Sequence, residues 1–291
     1  MRWIPGSSDR NVEDRRGSSG GGGLGFGGGG LGGRSIGVGG FLVLLVLSVV
    51  FRQDLFSMLG SDTGDPAAPV QTTPAGPIKT TADEEKLKDF ITFVLNDVQG
   101  VWAKVLPTVG SQYRDAKLVL FRDGIESACG FAQAATGPFY CPGDEKVYID
   151  LGFYQELKER FGAPGDFAQA YVLAHEIGHH VQKILGTEPQ VRRLQQQQAG
   201  RANDLSVRME LQADCYAGIW GHSAQQAGQL EAGDVQEGLG AAAAVGDDRI
   251  QRMATGRVHP ESFTHGTSAQ RTEWFKRGFT SGKLQDCDTF R

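Results

Sequence analysis

The 291-residue sequence is poor in several residue types, and each shortage narrows what the protein can be. Positive charge is not in excess: 29 Lys and Arg face 34 Asp and Glu, a formal net charge of −5 that argues against a general nucleic-acid binder. Histidine is scarce at six and cysteine at four. No two cysteines stand in C-x-x-C spacing, which disfavours a cysteine-based zinc site. No internal repeat is present. With 40% apolar and 22% charged residues, wholesale disorder is excluded too.

Glycine is abundant instead, at 42 residues, and fifteen of these lie between Gly17 and Gly40. That tract has almost no side chains to bury and maximal backbone freedom to lose, so it reads as a tether. Residues 35–51, SIGVGGFLVLLVLSVVF, follow with no charge between Arg34 and Arg52. The run is at the short end of the roughly 17–25 residues that cross a bilayer. Gly- and Pro-rich flanks disfavour a buried core helix. The long preceding stretch, with no A-x-A site closely after the run, disfavours a cleaved signal peptide. The expectation is a single transmembrane helix over 35–52, in contact with the lipid bilayer. Arg2, Arg10, Arg15, Arg16 and Arg34 precede it and Asp54, Asp62 and Asp65 follow it, so residues 1–34 are expected as a cytoplasmic tail. Everything after the span is then periplasmic or extracellular. Residues 53–82 have a Pro/Thr/Asp spacer composition, and 83–291 suffice for one domain.

Within that domain, Leu87, Phe90, Ile91, Val94, Leu95 and Val98 repeat at helical spacing. AKLVLF (116–121) and KVYID (146–150) read as strands, and helices are expected over roughly 151–161, 166–185, 203–225, 232–254 and 268–279. The fold class is therefore α+β, mostly helical with a small sheet.

Chemistry concentrates at AHEIGHHV, residues 174–181. His175 and His179 are four apart, so on a helix both imidazoles leave one face and can hold one Zn²⁺ with an open position for water. Glu176, beside the first of them, can take a proton from the attacking water. Asp166 is expected as the cap of this helix and Gly186 as its stop. A hydrolytic zinc site wants a third ligand. ELQAD supplies Glu210 for it, and Asp214 one turn on can accept the hydrogen bond of the non-ligating nitrogen of a zinc histidine. Alone, E-x-x-x-D is a common helix-face pattern; joined to HEIGHH it becomes informative. His180 points about 100° away from His179 and is expected at the surface or supporting a ligand.

H-E-x-x-H followed by E-x-x-x-D resembles the thermolysin-type zincins, the gluzincins. That implies His175, His179 and Glu210 as ligands, Glu176 as general base and Asp214 as support. More closely, the chain resembles the bacterial neutral zinc metallopeptidase family of membrane-anchored proteins. The likeness is carried by NVEDRR (11–16), CGFAQAATGPFYCPGDEKVYIDLGFY (129–154), LAHEIGHHVQ (173–182), ELQADCYAG (210–218), GDDRIQ (246–251) and SFTHGTSAQRTEWFKRGF (262–279).

A peptidase also needs a donor aimed at the developing oxyanion. His265, in a Gly/Ser/Thr-rich loop, leads Tyr148 and Arg249 as candidate; the Asp247–Asp248 pair is given no catalytic role. Peptide substrate is expected at an edge formed by KVYID. Cys129, Cys141, Cys215 and Cys287 are even in number and follow the span, so disulfides are expected, 129–141 and 215–287 among three possible connectivities, with free thiols as the plain alternative. The resulting expectation is a membrane-anchored zinc peptidase with one zinc per chain, acting on envelope peptides or proteins and not on nucleic acid. The rival readings are an anchored, zinc-containing binding or scaffold protein without catalysis, and hydrolysis of a non-peptide amide.

Overall fold

The structure is a computed structural model that describes residues 1–17, 80–133 and 136–291. The expected span 35–52, and all of the spacer 53–82 but its last three residues, lie outside the described residues. Among the described residues no helix is long and apolar enough to cross a membrane.

The first long helix, α1 (Ala82–Val105), opens with a capping box in which Thr81 and Glu84 satisfy each other's backbone N–H groups. Its apolar stripe, from Phe90 through Trp102, is fully buried. A four-stranded sheet follows in the spatial order β1 (Val12–Asp14), β2 (Lys117–Phe121), β6 (Lys146–Asp150) and β5 (Phe139–Cys141). The first three run parallel, and β5 runs antiparallel to β6. A separate hairpin pairs β3 (Gly124–Ser127) with β4 (Gly130–Gln133). Alternation along the strands splits the sheet's two faces. Leu118, Leu120, Val147 and Ile149 join the main core, while Val119, Phe121 and Tyr148 form a small cluster on the other side.

The helices after the sheet are α2 (Gly152–Glu159), α3 (Asp166–Leu185), α4 (Thr187–Gln197), α5 (Ala202–Gln226), α6 (Asp234–Ala244), α7 (Asp247–Thr255) and α8 (Ser268–Ser281). α5 packs on α3 and α8. Close approach is bought by glycine: a methyl group on Gly178 of α3 would lie 3.0 Å from the Ala213 carbonyl oxygen of α5, and one on Gly278 of α8 would overlap the Cys215 carbonyl. Both disulfides pair as expected, Cys129–Cys141 and Cys215–Cys287, and among the described residues no cysteine is free.

Several expectations need correction. Residues 1–16 are not a tail apart from the domain. Val12 pairs with Leu118 on the sheet edge, Met1 is buried in the core, and Trp3 meets Phe90 edge-on at 5.5 Å. Arg16, 4% exposed, joins Asp14 at 2.6 Å and Glu85 at 2.8 Å. A three-residue strand paired with one more than a hundred residues later leaves no local periodicity to detect. The helix expected over 232–254 is two: the first ends at Ala244 and the second starts at Asp247, with Gly246 extended between them (φ −74°, ψ 140°) and so close to Ser268 that a side chain there would overlap it. α4 was not expected: TEPQVRRLQQQ is polar and buries only Val191, so it carries no apolar stripe. Asp166 is the first helical residue rather than the cap, and its carboxylate pairs with the Met1 amino group at 2.6 Å.

Candidate metal centre

Two crossing helices build the site. α3 runs from Asp166 to Gly186, whose φ of +80° ends it in the left-handed region. One face of α3 carries Tyr171, His175 and His179 at four-residue spacing, and α5 presents Glu210 and Asp214 to it, also four apart. The Glu210 carboxylate reaches both rings, 3.1 Å from His175 Nε2 and 3.4 Å from His179 Nε2. Donor atoms of His175, His179 and Glu210 all lie within 4.8 Å of one another. Tetrahedral zinc with bonds of 2.0–2.1 Å sets its ligand atoms about 3.3 Å apart, so this donor set fits zinc in chemistry and spacing.

The second nitrogen of each ring is tied to a different kind of group. His175 Nδ1 donates to Asp214 Oδ1 at 2.9 Å. Asp214 is fully buried and also receives Arg271 at 2.8 and 3.0 Å and a short hydrogen bond from the Tyr171 hydroxyl. Burial would raise the Asp214 pKa, but Arg271 and His175 outweigh it and hold it below the usual carboxylate value. Burial opposes charge on His175, yet Asp214 and Glu210 push its pKa up to about 10 in this metal-free arrangement. His179 Nδ1 instead faces the amide oxygen of Gln182 at 2.8 Å. Both Nε2 atoms are thereby left toward Glu210.

Glu176 is 8% exposed, and burial raises its pKa above the ordinary carboxylate value. The backbone of Tyr140, in β5, acts in the opposite direction and lowers it by less. The edge of the sheet beside the site is thus β5. KVYID forms β6, which is covered on both sides by β2 and β5, so it is not an edge as expected.

His265 is close enough to Glu210 for the two charges to act on each other: burial lowers its pKa, but Glu210 and then Asp247 raise it to a net increase. Its Nδ1 lies 3.2 Å from Asp247 Oδ1. Asp247 Oδ2 accepts the backbone N–H groups of Thr264 (2.7 Å), His265 (2.6 Å) and Gly266 (3.0 Å), fixing the loop that carries the histidine. Asp247, given no role from sequence, is therefore the holder of His265. Tyr148 and Arg249 are not at the site. Tyr148 points to the far face of the sheet and donates to Asp144 at 2.6 Å; Arg249 donates to the Phe161 carbonyl at 2.7 Å. His180 is buried, not superficial: its Nε2 donates to the Arg114 carbonyl at 2.8 Å and its Nδ1 accepts from the Tyr140 hydroxyl at 2.9 Å, pinning α3 to β5.

Arg271, Tyr171 and Gln182 had no role in the sequence reading. Tyr171 and Gln182 could have been found there, since they sit four residues before His175 and three after His179, on the ligand face. Arg271 could not, because nothing in sequence links it to Asp214 57 residues earlier.

The whole chain supports the same chemistry. Residues 1–290 match the family described as "Putative neutral zinc metallopeptidase". The chain belongs to that family. It is 49% identical to the uncharacterized protein YpfJ of Escherichia coli (strain K12), over 100% of this chain and 99% of the relative. It is 46% identical to the uncharacterized proteins Mb2605 of Mycobacterium bovis and Rv2575 of Mycobacterium tuberculosis (strain ATCC 25618 / H37Rv), over 67% of this chain and 68% of each relative. No solved structure matches. The family description implies a zinc-dependent hydrolase acting on peptides, consistent with the donor set above.

Proposed function

We propose that this protein is a zinc peptidase of the H-E-x-x-H, gluzincin type, with His175, His179 and Glu210 as ligands and Glu176 as general base. The observation that carries the reading is the Glu210 carboxylate set 3.1 and 3.4 Å from two imidazole Nε2 atoms whose Nδ1 atoms are engaged elsewhere. Zinc held there would acidify water and polarise a carbonyl. Glu176, its affinity for protons raised by burial, takes the proton of the attacking water and passes it to the leaving amine. His265, held by Asp247, supplies the positive donor for the oxyanion. The edge of β5, beside Glu176, offers main-chain hydrogen bonds to an extended peptide.

Glu176→Gln should keep zinc, measured by elemental analysis, and keep the fold, while hydrolysis of an unfolded protein such as casein falls by at least a hundredfold. Unchanged hydrolysis would sink the mechanism.

The domain is proposed to lie outside the cytoplasmic membrane, which two disulfides favour. Because residues 1–16 are folded into the domain, they belong on the same side of the membrane as the metal centre, an arrangement incompatible with a cytoplasmic tail followed by a single crossing at residues 35–52. In whole cells, a membrane-impermeant maleimide should then label Ser8→Cys and Gln225→Cys alike. Labelling of one alone would refute this arrangement.

A further inference from the structure

His179 is the less obviously supported of the two histidines, and its support leads somewhere unexpected. Its Nδ1 lies 2.8 Å from Gln182 Oε1. The amide of Gln182 has only one workable orientation, because its nitrogen faces two acceptors: the Met209 carbonyl at 2.8 Å and Gln212 Oε1 at 3.1 Å. The orientation of Gln212 is set in turn by the Cys287 carbonyl, 3.0 Å from its amide nitrogen. A carbonyl can only accept. The chain of donors therefore runs one way, from His179 to Gln182 to Gln212 to Cys287, and its polarity is fixed by two carbonyls, Met209 beside Gln182 and Cys287 at the far end. Gln182 is 0% and Gln212 6% exposed, so water cannot substitute for a broken link. Cys287 is bonded to Cys215, which sits on α5 five residues past Glu210. The segment after it is clamped as well, with Arg208 donating to the Thr289 carbonyl at 2.9 Å and the Thr289 hydroxyl donating to the Arg208 carbonyl at 2.7 Å.

We propose that Gln182 is a positioning residue that fixes His179 in the Nδ1–H tautomer, and that the Met209 carbonyl, with Gln212 and the disulfide-held Cys287 carbonyl behind it, fixes Gln182. The C-terminal segment, through this buried amide relay, then helps to set metal affinity. The inference rests on His179 being a ligand, as proposed above. Its physical content is that an imidazole can offer Nε2 to a metal only if the proton is kept on Nδ1, and a neutral amide oxygen keeps it there without adding charge.

The test reads tautomer and metal affinity rather than peptidase activity. In zinc-free protein at alkaline pH, where the ring is neutral, nitrogen-15 NMR should show His179 as the Nδ1–H form. Gln182→Leu should populate the Nε2–H form and weaken zinc binding, measured against a competing chelator, about 10- to 100-fold. Gln212→Leu should act in the same direction with a smaller loss, below about tenfold. Far-ultraviolet circular dichroism matching the parent is the folded control for each variant. A Gln182→Leu protein with Nδ1–H and parental affinity overturns the relay. A His179→Ala protein with parental zinc affinity overturns the ligand assignment itself, so the two failures are distinguishable.

Discussion

The two sides of the candidate metal centre hold their histidines by unlike means. Around His175 the support is charged and concentrated: Asp214 and Arg271, both buried, with the Tyr171 hydroxyl closing the cluster. Around His179 it is neutral and extended, two glutamine amides in series ending on a backbone carbonyl. A charged support raises ligand basicity but must have every charge matched, because an unmatched buried charge is costly. A neutral support adds little basicity and fails more gently. The contrast predicts a graded set of responses.

The largest should come from Asp214→Ala, which strips His175 of its acceptor and leaves Arg271 buried without its carboxylate. Stability measured by denaturant unfolding should fall by roughly 3–5 kcal/mol. Zinc affinity in the folded fraction should fall about 10- to 100-fold. If Gln182→Leu proved equally destabilising, the distinction between the two sides would collapse. Tyr171→Phe should come next, removing one hydrogen bond to a buried carboxylate for about 1.5–3 kcal/mol and leaving the imidazole arrangement in place.

Acidity separates the two sides as well. The folded pKa of Asp214 is depressed, so its contribution to stability is present above its unfolded value of about 3.9 and is lost as pH falls through the lower, folded value. His175 in the metal-free protein behaves in the opposite sense. With a folded pKa of about 10, its contribution is complete below the unfolded value near 6.5 and lost as pH rises toward 10. Zinc-free protein should therefore lose stability at both ends of that range. Asp214→Asn should flatten both limbs, whereas Gln182→Leu should leave their slopes unchanged; parallel profiles for the two variants would contradict the assignment. The smallest effect should be on the distant strand β1. Burial would raise the Asp14 pKa, but Arg16 and Lys88 hold it far below the ordinary range, so acid should loosen residues 1–16 below about pH 4, visible as faster amide exchange at Val12–Asp14. Asp14→Asn should show that loosening at neutral pH.

Much of this centre is legible in the linear sequence. Helix periodicity alone puts His175 with His179 and Glu210 with Asp214, because i and i+4 share a face whatever the helix packs against. The glycines that let the helices meet, Gly178 and Gly278, carry no such signal, since their purpose is visible only when the opposing carbonyl is in place. His265 could be nominated from its loop, but its holder Asp247 could not. Eighteen residues and a helix separate them, and the pairing depends on how the loop at 264–266 folds back. The sheet was half readable: β2 and β6 are rich in β-branched and aromatic residues, while β1 and β5 are three residues each, too short for a pattern.

By itself, then, the sequence determined most of the helices and the candidate metal-binding residues with their local spacing, because these depend on interactions within a turn or two of chain. Tertiary structure decided what lies across from each of them: Arg271 beside Asp214, Gln212 and Cys287 behind Gln182, β5 rather than β6 at the open edge, and residues 1–16 inside the domain. These are contacts between segments remote in sequence, and their energies come from burying charge and hydrogen-bonding groups that only the packed core brings within reach of one another.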